Sequence, residues 1–223
     1  LHVPVVEENA GCYITGPLSL PQALMTSARF SPVPVSVLLL AGGQGARVGG
    51  QDKGLLPWQG VPMIEHLHRH VRGFTDDLII SCNRNTERYA RYADQLAADQ
   101  EAGFPGPMAG LCAGLAKARH ERVLVLPCDV PGVDASLIQV MLVAQASQPD
   151  APLIVRQGGT WEPLICVLPR ATLHALDKAW ATGERSPRRV LLAMAPQPLD
   201  CPADDPRLRN LNTLELMAGT SPP

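Results

Sequence analysis

Several features are missing from this 223-residue sequence, and each absence removes a class of function. No hydrophobic run is long enough to cross a bilayer, which takes about 20 apolar residues; the run Val37 to Ala41 is typical of what is present. There is no excess of positive charge. Lys and Arg number 19 against 21 Asp and Glu, for a net charge of -2, which argues against a nucleic-acid platform built on bulk basicity. None of the six cysteines (12, 82, 112, 128, 166, 201) forms a CxxC pair, so zinc-ribbon and thioredoxin readings lose their main signature. Reduced, buried thiols are expected instead. Charged residues are only 18% and hydrophobic residues 46%, which fits a folded globular chain and not a disordered one. Proline is the one residue in clear excess: 22 positions imply many chain breaks and fixed loops.

Residues 1–34 differ from the rest. They hold five prolines and few charges, with no sustained period. Met25 is a candidate start, so residues 1–24 are expected to be an upstream extension or an expression remnant. They make a poor signal peptide, because the basic n-region is missing and Glu7 and Glu8 come early. The expected division is 1–34 as extension, 35–218 as one domain and 219–223 as a tail.

From Pro34 the pattern is regular. Val35 to Ala41 reads as a buried parallel strand running into glycine. Pro62 to Gly73 carries Met63, Ile64, Leu67 and Val71 at helical spacing. Strands are expected at Leu78–Cys82 and Arg122–Leu126, with helices at Thr86–Leu96, Met108–Arg119 and Ala135–Ser147. Two further strands, Pro152–Arg156 and Pro163–Leu168, flank a hairpin tip at Gln157–Thr160, and helical stretches near Ala171–Ala181 and Arg188–Met194 follow. Alternating strands and helices predict an α/β sheet, mainly parallel, with the hairpin as an antiparallel excursion. Ligands of such sheets bind beyond the carboxyl ends of strands. The places to look are therefore after Ala41, after Cys82 and after Leu126.

The segment after the first strand is the most informative. Gly42 to Gly50 holds five glycines in nine positions, with Arg47 and Lys53 bringing two positive charges. Glycine lets backbone N–H groups approach a ligand closely, and such a run cradles anions. Arg as a fork and Lys as a point charge suit a triphosphate. Two familiar glycine motifs fail. A dinucleotide fingerprint from Gly43 meets Val48 where its third glycine belongs, and a Walker A loop from Gly45 meets Gln51 in place of lysine.

Asp129, between Pro127 and Pro131 just past a strand, suits Mg²⁺, which takes one or two carboxylates plus phosphate oxygens; alone it would read as a turn or cap aspartate. Asp99 and Asn83 are candidates for ribose or base contacts, against the plainer readings of an exposed loop acid and a solvated turn amide. His66 and His70 lie one helical turn apart, but no third ligand is evident and a solvated helix face is the better reading. Trp161, beside Glu162 and Pro163, reads equally as a pocket wall or a packed aromatic.

Together these pieces resemble the molybdenum cofactor guanylyltransferases, the MobA family. The resemblance rests on Leu40-Ala41-Gly42-Gly43-x-Gly45-x-Arg47-x-Gly49-Gly50-x-Asp52-Lys53-Gly54-Leu55, Gly106-Pro107-Met108-Ala109-Gly110, Pro127-Cys128-Asp129-Val130-Pro131 and Asn210-Leu211-Asn212-Thr213, and spans about Val35 to Met217. It implies a Rossmann-like nucleotidyltransferase fold, three-layer α/β/α. It implies GTP and Mg²⁺ as reagents and molybdopterin-bound molybdenum as acceptor, giving the guanine dinucleotide cofactor and pyrophosphate. Leu40, Ala41, Gly42, Gly43, Lys53, Asn83, Asp99 and Asp129 match nucleotide-binding positions, and Asp129 the Mg²⁺ position. Arg47, Gly50, Asp52, Gly106, Gly110, Asn210 and Asn212 match positions tied to activity or acceptor binding, with Arg47, Lys53 and Asp129 as the catalytic set. Val48 departs from the family's usual methionine. The arginines 185, 188 and 189 are candidates for the acceptor's phosphate, without a firm assignment.

The resemblance also implies a cytoplasmic enzyme that meets other cofactor-biosynthesis proteins and molybdoenzymes or their chaperones, with no nucleic-acid or membrane partner. Two alternatives stay open. One is the same chemistry with CTP or a sugar-phosphate acceptor; the other is a non-catalytic nucleotide-binding adaptor.

Overall fold

The computed structural model describes residues 12–14, 33–41, 43, 50–99, 101 and 106–211. An eight-stranded sheet forms the middle layer. Its strands are β1 (Tyr13–Ile14), β2 (Val35–Leu40), β5 (Asp77–Ser81), β6 (Gln95–Ala97), β7 (Arg122–Pro127), β8 (Leu153–Gln157), β9 (Thr160–Pro169) and β10 (Gln197–Cys201), in the spatial order β1-β10-β8-β9-β7-β2-β5-β6. A separate two-stranded ribbon joins β3 (Pro57–Trp58) to β4 (Val61–Pro62). The helices are α1 (Met63–Val71), α2 (Thr86–Tyr89), α3 (Pro107–Lys117), α4 (Ala135–Gln145), α5 (Thr172–Ala181) and α6 (Pro187–Ala193).

The alternation of side chains along a strand sorts the core into two layers. Val37, Leu39 and Ala41 face α1 and α4, where they meet Ile64, Leu67, Leu137 and Met141. Leu38 and Leu40 face the opposite side, where Met108, Leu111 and Leu115 of α3 join Leu176 of α5 and Leu191 of α6. Every residue of β2 is buried, which is why it reads as a continuous apolar run. Gly114 lets α3 lie directly on Leu38, since a Cβ there would overlap that side chain. Each fully buried leucine contributes about 1.5–3 kcal/mol of transfer free energy, so these two layers carry most of the stability.

β2 is the origin of the topology. β5 pairs with it in parallel on one side and β7 in parallel on the other. The strand order therefore reverses at β2, and a crevice opens at the carboxyl ends beside it. The antiparallel excursion is real and sits inside the sheet: β9 runs antiparallel to both β7 and β8. At the opposite end of the strands, buried Asp77 ties the layers together. Its carboxylate accepts hydrogen bonds from Ser36 Oγ (2.6 Å), Gln95 Nε2 (2.7 Å) and the Arg119 N–H (2.8 Å).

One expected element differs in kind, and the strands β1, β3, β4 and β10 are additions to the expected set. The helix anticipated over Thr86–Leu96 stops at Tyr89, and Gln95–Ala97 is a strand paired with β5. The physical reason lies in Asp94. Its N–H donates to the Leu78 carbonyl and its carboxylate accepts the Leu78 N–H, both at 2.8 Å, which draws the chain onto the sheet edge. The expectations for residues 1–11, 15–32 and 212–223 lie outside the described residues.

Candidate functional site

The three strand ends singled out from sequence are level with one another. Leu40 is in register with Ser81 on one side and with Pro127 on the other. The ladder runs one step further on each side: Ala41 N–H donates to the Ser81 carbonyl (2.8 Å), and Cys128 N–H donates to the Leu40 carbonyl (3.0 Å). The loops that follow β2, β5 and β7 therefore leave the sheet side by side.

Lys53 and Asp129 meet above this edge. Lys53 opens a 3-10 turn (Lys53–Leu55), held by Leu55 N–H to Asp52 O (3.1 Å) and Leu56 N–H to Lys53 O (3.0 Å). Its Nζ donates to Asp129 Oδ2 at 3.2 Å, joining positions 76 residues apart, and the two side chains are 21% and 15% exposed. Asp129 Oδ1 is buried and has no hydrogen-bond partner. A carboxylate with one oxygen on an ammonium and the other unpartnered is a donor suited to a hard cation. Beside it, burial raises the Cys128 thiol, reinforced by Asp129 and Asp52, so this cysteine stays protonated and is no nucleophile.

The flanks of the glycine-rich segment are tied to the chain after β5. Arg84 is spread over three backbone carbonyls: Nη1 donates to Gly50 O (2.7 Å), and Nη2 donates to Gln51 O (3.0 Å) and Gly43 O (3.1 Å). Asp52 is the second anchor. It accepts the Tyr89 hydroxyl (2.5 Å) and Asn85 Nδ2 (2.9 Å), and pairs with Arg84 Nε at 3.7 Å. Gly50 has a φ of +77°, a backbone state that favours glycine, and its carbonyl is the one Arg84 holds closest. Arg84 thus holds together the two described flanks of the glycine-rich segment, Gly43 on one side and Gly50–Gln51 on the other. Asp52 is buried and both its carboxylate oxygens are engaged, so it braces the segment that leads into Lys53.

Asn83 and Asp99 also come together. Asn83 Nδ2 donates to Asp99 Oδ2 (2.7 Å), and Asp99 N–H donates to Asn83 Oδ1 (2.9 Å). Asp99 Oδ1 has no partner. Gly106, with φ +103°, turns the chain into α3. Gly110 is buried where a Cβ would lie 2.5 Å from Ser81 Oγ and 3.4 Å from Leu40 Cδ2, so its role here is the close approach of α3 to the ends of β2 and β5. The late motif reaches the site as well: Leu211 N–H donates to the Asp129 carbonyl at 2.8 Å, which sets exposed Asn210 beside it. Gly42, Arg47 and Asn212 lie outside the described residues.

Other candidates fall elsewhere. Arg185 stacks on Trp180, 3.8 Å from the ring centroid, and Arg189 pairs with Glu184 at 3.2 Å. Trp161 packs under Arg156 at 5.3 Å. His66 is not on a solvated face: its Nε2 bonds the Trp58 carbonyl at 2.9 Å and its ring meets Trp58 edge-on, pinning the β3–β4 ribbon to α1. Sequence reasoning missed Arg84, Asn85 and Tyr89. The only available signal was their place directly after a strand end, next to Asn83.

Comparisons with known proteins agree with this geometry. A family model described as a MobA-like NTP transferase domain matches residues 37–198. A protein of Pseudomonas fluorescens named molybdenum cofactor guanylyltransferase is 58% identical over 187 residues, covering 84% of this chain and 94% of the relative. A Pseudomonas aeruginosa protein of the same name is 55% identical over 185 residues, covering 83% and 93%. The solved structure of molybdopterin-guanine dinucleotide biosynthesis protein A from Archaeoglobus fulgidus superposes with a TM-score of 0.66 at 20% identity, covering 82% of this chain and 95% of that one. At that identity the likeness speaks for the fold.

Proposed function

Because the chain belongs to the MobA-like NTP transferase family, we propose that it transfers GMP from GTP to molybdenum-bound molybdopterin, releasing pyrophosphate. The observation that carries this reading is the meeting of Lys53 with Asp129 at the β2–β7 switch point, beside the flanks of the glycine-rich segment held by Arg84 and Asp52.

A terminal phosphate oxygen of the acceptor attacks the α-phosphorus of GTP. A P–O bond forms, the α–β bridging P–O bond breaks, and pyrophosphate leaves with the electron pair. The attacking oxygen is already ionised at neutral pH, so no general base is needed and the work is positioning and charge neutralisation. Lys53 supplies its ammonium to the phosphates and stabilises charge on the departing pyrophosphate. Arg47 is assigned the same task by its charge and its place in the loop. Gly43 and its neighbours offer backbone N–H groups to the phosphates. Leu40 and Ala41 form the floor beneath the nucleotide. The Asn83–Asp99 pair, with its unpartnered Oδ1, is assigned to the ribose or base. Gly50, Gly106 and Asn210 are assigned to the acceptor side together with Asn212, while Asp52 and Gly110 act by shaping the walls.

The residues also fit Mg²⁺. Asp129 presents a buried, unpartnered Oδ1, and phosphate oxygens would complete the shell. When bound there, the ion would neutralise phosphate charge. Residues 35–218 are proposed as the catalytic domain. No described helix is long and apolar enough to cross a membrane, and the cytoplasm is the proposed compartment.

The test is pyrophosphate release with GTP, Mg²⁺ and molybdate-loaded molybdopterin, run against CTP and against an EDTA control. GTP should support turnover, and CTP and the chelated reaction should not. Equal or faster turnover with CTP would replace the guanylyl reading. No release with any acceptor would leave a nucleotide-binding adaptor.

A further inference from the structure

Cys12 and Cys201 face each other at the far edge of the sheet. β1 and β10 are antiparallel with Tyr13 opposite Asp200 and Ile14 opposite Leu199, so the next step sets Cys12 opposite Cys201. Opposed residues of such a pair have Cα atoms about 4.5–5.5 Å apart, within the range that disulfides span. The two Sγ atoms and an Asp205 carboxylate oxygen all lie within 4.8 Å of one another, and all three residues are buried.

The surroundings make the two sulfurs unlike. Arg207 Nη2 lies 3.1 Å from Cys12 Sγ and also holds Asp205, with Nη2 to Oδ2 at 2.6 Å and Nε to Oδ1 at 2.9 Å. The Cys12 thiol donates to Asp205 Oδ2 at 3.6 Å. A hydrogen bond from the Cys201 thiol lowers the Cys12 pKa. Burial and Asp205 oppose this, and Arg207 assists it. The same hydrogen bond, together with burial, raises Cys201. Of the two sulfurs, Cys12 is the one beside the guanidinium, while Cys201 Sγ points to the Leu199 carbonyl at 4.0 Å. A cation next to one of two facing thiols assists its ionisation and is the layout of a redox pair.

We propose that Cys12 and Cys201 form a reversible oxidation site, in which hydrogen peroxide converts the cross-strand pair into a disulfide that fastens β1 to β10. The Cys12 thiolate attacks one peroxide oxygen. An S–O bond forms, the O–O bond breaks, and the leaving hydroxide takes a proton to become water. Sulfur has lost two electrons and the peroxide has gained them. Cys201 then attacks the sulfenic sulfur, an S–S bond forms, and the S–O bond breaks. The hydroxide that leaves takes the Cys201 proton as a second water. A dithiol reductant reverses the process by exchange. The same three donor groups would interest a soft metal cation, but Arg207 already engages both Asp205 oxygens and approaches Cys12. The positive charge the cluster can accommodate is thereby supplied.

The experiment treats the full chain with hydrogen peroxide and maps non-reduced peptides by mass spectrometry. A peptide linking Cys12 to Cys201, two fewer titratable thiols in denaturant, and recovery of both with dithiothreitol are expected. In Cys201→Ser, the reaction should halt at a sulfenic acid on Cys12, trapped by dimedone. In Cys12→Ser, Cys201 should remain a thiol. The wild-type map stands even if a variant folds poorly. Absence of the linked peptide, linkage through a different cysteine such as half-buried Cys112, or first oxidation at Cys201 would each overturn the proposal. Stoichiometric zinc in the isolated protein, protecting both thiols, would replace it with a metal site.

Discussion

Replacing Gly54 with alanine forces a new atom into a packed contact. A Cβ at this position falls 2.5 Å from the Tyr89 hydroxyl oxygen, whereas its next neighbours, Cys128 Cβ and Tyr89 Cε1, are at an ordinary 3.4 Å. The hydroxyl must retreat by roughly 0.9 Å, from 2.5 to 3.4 Å. Tyr89 is fully buried and donates to Asp52 at 2.5 Å, so that retreat removes the hydrogen bond that anchors the loop carrying Lys53. Overpacking costs about 1–3 kcal/mol, and loss of a hydrogen bond to a carboxylate adds about 1.5–3 kcal/mol. Gly54→Ala should therefore lose about 2.5–6 kcal/mol on these two counts. Tyr89→Phe, which loses only the hydrogen bond, should lose about 1.5–3 kcal/mol. The double variant has no hydroxyl to clash with, so it should match Tyr89→Phe alone. Urea unfolding of the three variants, followed by circular dichroism, measures this cycle. Simple additivity, with the double variant weaker than either single one, would refute the steric reasoning.

Two further outcomes follow from the same geometry. Arg84→Lys keeps the charge but cannot span three carbonyls, so kcat/KM for GTP should fall about 10–100-fold while urea stability changes little; unchanged kinetics would show that the staple does not position the loop. Asp77→Asn should cost about 2–3 kcal/mol near neutral pH, because buried hydrogen bonds to a carboxylate are lost. Burial works against the Asp77 carboxylate, yet Ser36, the Arg119 N–H, Gln95 and the Arg119 charge hold its pKa below the ordinary 3.8. Its contribution is thus present above 3.8 and lost as pH falls through the lower folded value. The gap in urea midpoint between wild type and variant should be wide at neutral pH and close in acid; a gap that ignores pH would contradict the assignment.

The parts of the fold that were legible in sequence are those where one local rule acts alone. β2 and β7 are buried on both faces and read as unbroken apolar runs, and Pro107 marks the first turn of α3. The parts that were not legible depend on distant partners. Tyr89, Tyr92 and Leu96 have helical spacing, but Asp94 binds Leu78 and turns the chain into β6. β10 contains Pro198, which argues against a strand. It is tolerated because the Gln197 N–H is the one turned to the β8 side, donating to the Pro152 carbonyl at 2.8 Å, so the missing N–H of Pro198 falls on the opposite side of the strand and the ladder with β8 loses nothing. At the site, Lys53 and Asp129 were visible because each sits at the exit of a recognisable strand. Arg84 was not, because its significance lies in three carbonyls 33 to 41 residues away, and carbonyls leave no mark in a sequence.

The most direct measurement is steady-state pyrophosphate release, with GTP and saturating acceptor, by wild type, Lys53→Ala and Asp129→Ala, alongside their thermal unfolding. Each variant should keep its fold and lose about 10²–10³ in kcat, the scale set by removing a preorganised charge from a phosphate transfer site. Turnover near the wild-type rate in either folded variant would contradict the claim that these two side chains jointly hold the nucleotide.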